Sequence, residues 1–137
     1  MRSCFELAAN SYLRNNGWAC KLTRAVKDGG YDLYGTLGSF TFVGECKSGK
    51  ITCKDTGSVI TELSRYRSDF ALLVHKNEIT GKSLKMVREC TYPILAVQIT
   101  LKVASITASR KCASLGFRVF RGEDGALLKL QDMVVLR

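Results

Sequence analysis

Between Gly30 and Lys50 the chain reads GYDLYGTLGSFTFVGECKSGK, and this stretch leaves the backbone little choice. Ser39–Lys47 alternates in a way that predicts a strand, because strand side chains change face at every residue. Phe40, Phe42 and Cys46 then leave one face as core, and Glu45 and Lys47 leave the other together. Tyr31–Leu37 predicts a second strand with Asp32 at its start. A glycine-containing turn over Gly35–Gly38 folds the two strands against each other. Upstream, Trp18–Val26 predicts a further strand with Trp18, Cys20 and Leu22 on one side, followed by a turn at Lys27, Asp28, Gly29 and Gly30. The connections are too short for crossovers, so the three strands form an antiparallel meander. Carboxylates on adjacent strands, Asp32 and Glu45, are a donor set suited to a divalent cation, and the ammonium of Lys47 follows two residues on beside that site.

The flanking segments are helical. Phe5, Ala8, Ala9, Tyr12 and Leu13 recur at the spacing of a helix with one buried face, ended by Asn15–Gly17. Ser3 and Glu6 have the spacing of a capping box at its start. Glu6 also lies on the flank of the apolar stripe, from which it could reach the end of a sheet beneath. After the meander, Asp55 or Thr56 is placed to cap a helix running to about Arg67, with Val59, Ile60, Leu63 and Tyr66 on one face. Arg65 and Arg67 near its C-terminus suit either the helix dipole or phosphate contact. Phe70–His75 predicts a buried strand, parallel to its predecessor because a helix joins them. Beyond it the spacing predicts a loop over Lys76–Gly81, a short basic helix over Ser83–Cys90, a strand over Ile94–Ile99 and a helix over Lys102–Leu115 stopped by Gly116. Phe117–Phe120 and Leu127–Leu136 close the chain around a turn at Glu123, Asp124 and Gly125. Leu127–Leu136 is compatible with helix or strand.

A chain of 137 residues with 46% hydrophobic residues is long and apolar enough for one domain with its own core. Twenty-one Lys and Arg oppose twelve Asp and Glu, giving a formal charge of +9, and a small basic domain commonly meets a polyanion. The six cysteines include no Cys-x-x-Cys pair, and His75 is the single histidine, which argues against structural zinc. Cys20, Cys46, Cys90 and Cys112 lie in or beside apolar runs with no signal peptide before them. Buried free thiols in a reducing, cytoplasmic setting are therefore expected. No apolar run is long enough to span a membrane as a helix.

The order helix, three strands, helix, strand, with Asp32 before Glu45-Cys46-Lys47, resembles the PD-(D/E)xK nuclease superfamily. Within it the chain is most similar to archaeal Holliday-junction resolvases and Mrr-like restriction nucleases. The residues carrying that resemblance are Glu6, Gly29-Gly30-Tyr31-Asp32 and Glu45-Cys46-Lys47-Ser48, and it covers about Ser3–His75. Tyr31 stands where the family name has proline, and Cys46 where a valine or alanine is usual. Nothing after about residue 80 matches a motif. The resemblance implies an α/β fold with a restriction endonuclease-like αβββαβ core, a mixed central sheet flanked by helices. It also implies Mg²⁺-dependent hydrolysis of DNA, with Mn²⁺ able to substitute. Asp32, Glu45 and the backbone carbonyl of Cys46 would hold the metal, and Glu6 would complete the shell or serve a second ion. Lys47 would orient or deprotonate a water, or stabilise the pentavalent phosphate. Arg24, Lys27, Lys50, Lys54, Arg65 and Arg67 would hold the nucleic-acid backbone. A junction-cutting activity would call for a homodimer, since two nicks need two sites related by a two-fold axis. Two other functions fit the same residues: a basic module that binds nucleic acid without cutting it, and an RNA-cleaving nuclease on the same fold.

Overall fold

The computed structural model describes residues 4–23, 31–100, 103–115, 117–119 and 134–136. In chain order the elements are α1 (Cys4–Asn15), β1 (Ala19–Leu22), β2 (Leu33–Leu37), β3 (Phe40–Lys47), α2 (Cys53–Tyr66), β4 (Phe70–His75), α3 (Gly81–Arg88), β5 (Ile94–Ile99), β6 (Val103–Ala108), α4 (Lys111–Leu115), β7 (Phe117–Val119) and β8 (Val134–Leu136). Six strands form one mixed sheet in the order β1-β2-β3-β4-β5-β6. β1, β2 and β3 are the expected antiparallel meander. β3, β4 and β5 run parallel, and β6 returns antiparallel to β5. β7 and β8 pair separately.

Alternation along the strands sorts the core into two layers. Leu33, Phe42, Phe70, Leu72, Val74, Leu95 and Val97 face Ala9 and Leu13 of α1 and Cys112 of α4. Val43, Ala71, Leu73, Ile94 and Ala96 face Val59 and Leu63 of α2 and Val87 of α3. β4 is buried at all six positions, as a central strand covered on both faces must be. Trp18 stands edge-on to Phe42 and Phe70, with ring centroids 5.5 and 6.1 Å away, and closes the first layer beside β1. The chain is thus an α/β protein whose helices cover both faces of a mixed sheet.

Three local expectations change. The hairpin turn is Gly38 and Ser39, with Gly38 at φ 60, while Gly35 lies inside β2. Gly35 is needed there because a Cβ on it would sit 1.8 Å from the Ala19 carbonyl oxygen. α2 is capped by Thr52, not by Asp55 or Thr56. Asp55 instead reaches back to accept from the Thr52 amide (2.7 Å) and hydroxyl (3.1 Å). The helix predicted over Lys102–Leu115 is the strand β6 followed by the single short helix α4. Val103, Ile106 and Thr107 are β-branched, and the otherwise open edge of β5 offers them a ladder, which outweighs their weak helical periodicity. Ser109 fastens the end of this hairpin: its Oγ accepts from the Ile94 amide (3.0 Å) and donates to the Tyr92 carbonyl (2.7 Å).

Val134–Leu136 is strand, which decides part of the segment left open between helix and strand. The Ser3 cap, the turn over 27–30, the Gly116 stop and the turn over 123–125 lie outside the described residues. The six cysteines are free: Cys20 and Cys112 are buried, Cys46 and Cys90 half-buried, and Cys4 and Cys53 exposed. Among the described residues no helix is long and apolar enough to cross a membrane.

Candidate metal centre

β3 outruns β2. Leu33, the first residue of β2, pairs with Gly44, so Glu45, Cys46 and Lys47 have β4 on one side and no strand on the other. Asp32 fills that gap. Its amide donates to the Gly44 carbonyl (2.8 Å), and its Oδ2 accepts from the Cys46 amide (2.8 Å). Its carbonyl accepts from the Thr23 amide at 3.0 Å. The carboxylate therefore replaces a missing ladder bond and is held beside the carboxyl end of β3, the end of a parallel strand where α/β sheets commonly bind ligands.

Glu45 points to the α2 side of the sheet and is only 6% exposed. Ser58 of α2 gives it a side-chain hydrogen bond, yet its Oε2 is buried with no partner. Burial pushes its pKa up to about 7, and the nearby charges of Asp32 and Glu62 push the same way, against Ser58 and the Lys47 ammonium. Glu62 of α2 is equally buried at 6%, and its Oε2 also lacks a partner. An unpaired carboxylate in such surroundings either takes up a proton or gains a cation.

Lys47 follows on the same face. Its Nζ lies 3.3 Å from Oδ1 of Asp55. Partial burial disfavours the Asp55 charge, but the Thr52 amide and Lys47 outweigh this and hold its pKa below the ordinary value. Asp55 thus ties the lysine to the first turn of α2. Lys50 and Lys54 are exposed beside this turn.

Cys46 points the opposite way, toward the layer under α1. Its thiol pKa is driven up by burial and then by the charges of Asp32 and Glu6. α1 therefore brings the half-buried Glu6 to the Cys46 side of the sheet, while Glu45 faces α2. Asp32, at the edge, is felt on both sides. Among the described residues no three His, Cys, Asp or Glu side chains converge as a closed metal cage. The oxygens of Asp32 and Glu45 and the Cys46 carbonyl are of the donor type that Mg²⁺ takes when it keeps several waters.

The predicted backbone-binding cations fall into separate groups. Lys50 and Lys54 stand near Lys47. Arg65 and Arg67 are exposed at the other end of α2, about 20 Å away along a 14-residue helix. Arg24 and Lys27 lie outside the described residues. His75 sits opposite Lys47 in the β3–β4 register but is fully buried. Its Nδ1 donates to the Asn77 carbonyl at 2.7 Å, and burial holds its pKa below the ordinary value despite that bond.

Sequence reasoning missed Ser58 and Glu62, and read Asp55 as a helix cap without its tie to Lys47. Glu62 had a signal: it lies three residues after Val59 and beside Leu63, a charge on the apolar face of α2. Asp55 had one too, the Thr52-x-x-Asp55 spacing of a capping box. Compared with protein-family models, curated proteins and solved structures, the chain matches none.

Proposed function

We propose that this chain is a divalent-metal-dependent nuclease that hydrolyses phosphodiester bonds of DNA on a restriction endonuclease-like αβββαβ core. The observation that carries the reading is Glu45: a buried carboxylate with an unpartnered oxygen, near Asp32 and Lys47 at the carboxyl end of β3. A simple surface ion pair would leave neither the burial nor the missing partner, and Lys47 pairs with Asp55 instead.

Asp32, fixed by the Cys46 amide, and Glu45, fixed by Ser58, would hold Mg²⁺ or Mn²⁺ together with the Cys46 carbonyl. When bound, such an ion supplies Lewis acidity toward a phosphoryl oxygen and makes a coordinated water more acidic. Lys47 offers an ammonium to the phosphate or orders the attacking water, and Asp55 keeps it from swinging away. Lys50 and Lys54 attract the flanking phosphates. The charge of Glu62 acts on Glu45 and would favour a cation near the pair.

The test is incubation of labelled linear duplex, single-stranded and four-way-junction DNA, and of RNA, with Mg²⁺. Asp32→Ala and Lys47→Ala run beside the wild type. Cleavage by the wild type and its loss in both variants is expected. Paired nicks confined to the junction would select a resolvase, and gel filtration at several concentrations would then show a dimer. Cleavage of RNA alone would move the substrate to RNA. Failure to cut any substrate, with salt-sensitive binding that survives loss of Asp32, would replace the nuclease by a basic binding module.

A further inference from the structure

α2 lies over β3 and β4, and among the described residues β1 and β2 on this face line a groove of about 590 Å³. That volume is within the span of about 300–1,000 Å³ typical of small-molecule clefts. Its floor comes from alternation in the two strands: Ala19 and Lys21 turn outward where Cys20 turns into the core, and Tyr34 and Thr36 do so where Leu33 is buried. Lys21 and Tyr34 are directly paired across the ladder. Its wall is the last turn of α2, with Tyr66 and then Arg67 in the left-handed conformation (φ 51), which turns the chain toward β4.

Three tyrosines meet here. Tyr31 is half-buried and edge-on to Tyr66 and Tyr34, with centroids 4.7 and 6.1 Å away. Tyr34 and Tyr66 are each 40% exposed, a large share for aromatic rings on a folded surface. The Arg65 guanidinium lies 5.5 Å from the Tyr66 ring centroid, over one face. Among the described residues lining the groove are two cations, Lys21 and Arg67, and no carboxylate. Aromatic faces interleaved with cations are what a single nucleic-acid strand requires: π surfaces for bases and positive charge for phosphates.

We propose that this groove binds unpaired nucleotides of a DNA strand, with a base stacked on Tyr34 and a second against Tyr66, and with Lys21 and Arg67 on the phosphates. The proposal rests on the nucleic-acid reading above and adds a preference to it. Tyr31 stands beside both rings and within electrostatic reach of Glu62, which in turn acts on Glu45. Tyr31 also immediately precedes Asp32 in the chain, so one side of the groove lies at the Asp32 end of β2. Unpaired nucleotides held there would continue into the strand presented to Asp32 and Glu45.

The experiment measures affinity by fluorescence anisotropy in EDTA, so that nothing is cut. A short unpaired oligonucleotide and the duplex of the same sequence are titrated with wild type, Tyr34→Ala, Tyr66→Ala and the two Tyr→Phe variants. Each alanine variant is expected to lose about 10-fold in affinity for the unpaired strand, with phenylalanine restoring most of it. Duplex affinity should change by less than about threefold, since phosphate contacts dominate it. Thermal unfolding checks that the variants are folded. The proposal is overturned if the wild type does not bind the unpaired strand, if the alanine variants bind it like the wild type, or if both ligands weaken equally. Cleavage in Mg²⁺ separates this from the nuclease reading. Wild-type cutting with tyrosine-independent binding sinks the groove alone. Tyrosine-dependent binding with no cutting sinks the nuclease alone.

Discussion

Glu45→Gln is the most informative single change, because the two roles open to this residue predict opposite signs. The folded state raises the Glu45 pKa from an ordinary 4.5 to about 7. The native protein therefore holds a proton that the unfolded chain releases, and stability falls as pH rises from about 4.5 to about 7. Above pH 7 the ionised, buried carboxylate costs the metal-free fold about 3 kcal/mol. Glutamine keeps the shape and removes the charge. Metal-free Glu45→Gln should therefore be more stable than wild type at pH 8, by up to about 3 kcal/mol or roughly 10 °C in Tm for a chain of this size. Near pH 4.5 the two should coincide. Mg²⁺ should then stabilise the wild type at pH 8, by about 2.7 kcal/mol at a hundredfold excess over Kd. It should do little for the variant. The assay is thermal or urea unfolding at both pH values, in EDTA and in Mg²⁺. A variant less stable than wild type at pH 8 would show that Glu45 serves a structural ion pair. Equal stabilisation of both proteins by Mg²⁺ would place any metal elsewhere. Either result refutes the reasoning.

Other changes test the supports of the site. Asp32→Ala strips the Cys46 amide of its acceptor and should destabilise the fold by about 1–2 kcal/mol in urea unfolding, whereas Asp32→Asn, which keeps an acceptor, should retain most of that while still weakening Mg²⁺ binding. Asp55→Ala removes the capping contact with Thr52 and the Lys47 partner together, and a loss of about 1 kcal/mol is expected by the same measurement. Gly35→Ala forces a Cβ into the Ala19 carbonyl and should detach β1, seen as faster amide hydrogen exchange over Ala19–Leu22. His75 is neutral in the fold with its pKa lowered. The unfolded chain therefore binds the extra proton first, and stability should decline as pH falls below about 6.5. That decline should be absent in His75→Gln if the variant folds.

Much of the fold was legible because period-two alternation and tight spacing are local properties. Trp18, Cys20, Phe42 and Val43 go to the faces that their positions dictate, and the short apolar run Phe70–His75 is the buried strand that it suits. The segment after Ile99 was not legible. Residues 103–115 carry both a helical spacing and β-branched side chains, and the open edge of β5 settles the competition through a contact that sequence alone does not contain.

The candidate site divides along the same line. From the sequence came Asp32, Glu45 and Lys47, and the placement of Glu45 and Lys47 on one face, since the two-residue repeat of a strand requires it. Glu6 was legible only as a residue with two possible duties. The tertiary structure decided what those residues meet. β3 runs three residues past β2, so Asp32 must satisfy the Cys46 amide. α2 crosses this face, so Glu45 is buried against Ser58 and near Glu62, and Lys47 is drawn to Asp55. Among the described residues the same crossing leaves β1 and β2 uncovered by α2 and brings Tyr66 to Tyr31 and Tyr34, more than thirty residues away in sequence, around one groove. Burial, missing partners and shared fields are properties of neighbours in space. A chain can fix which side of a strand a carboxylate leaves, but only packing decides whether it meets water, a helix or an ion.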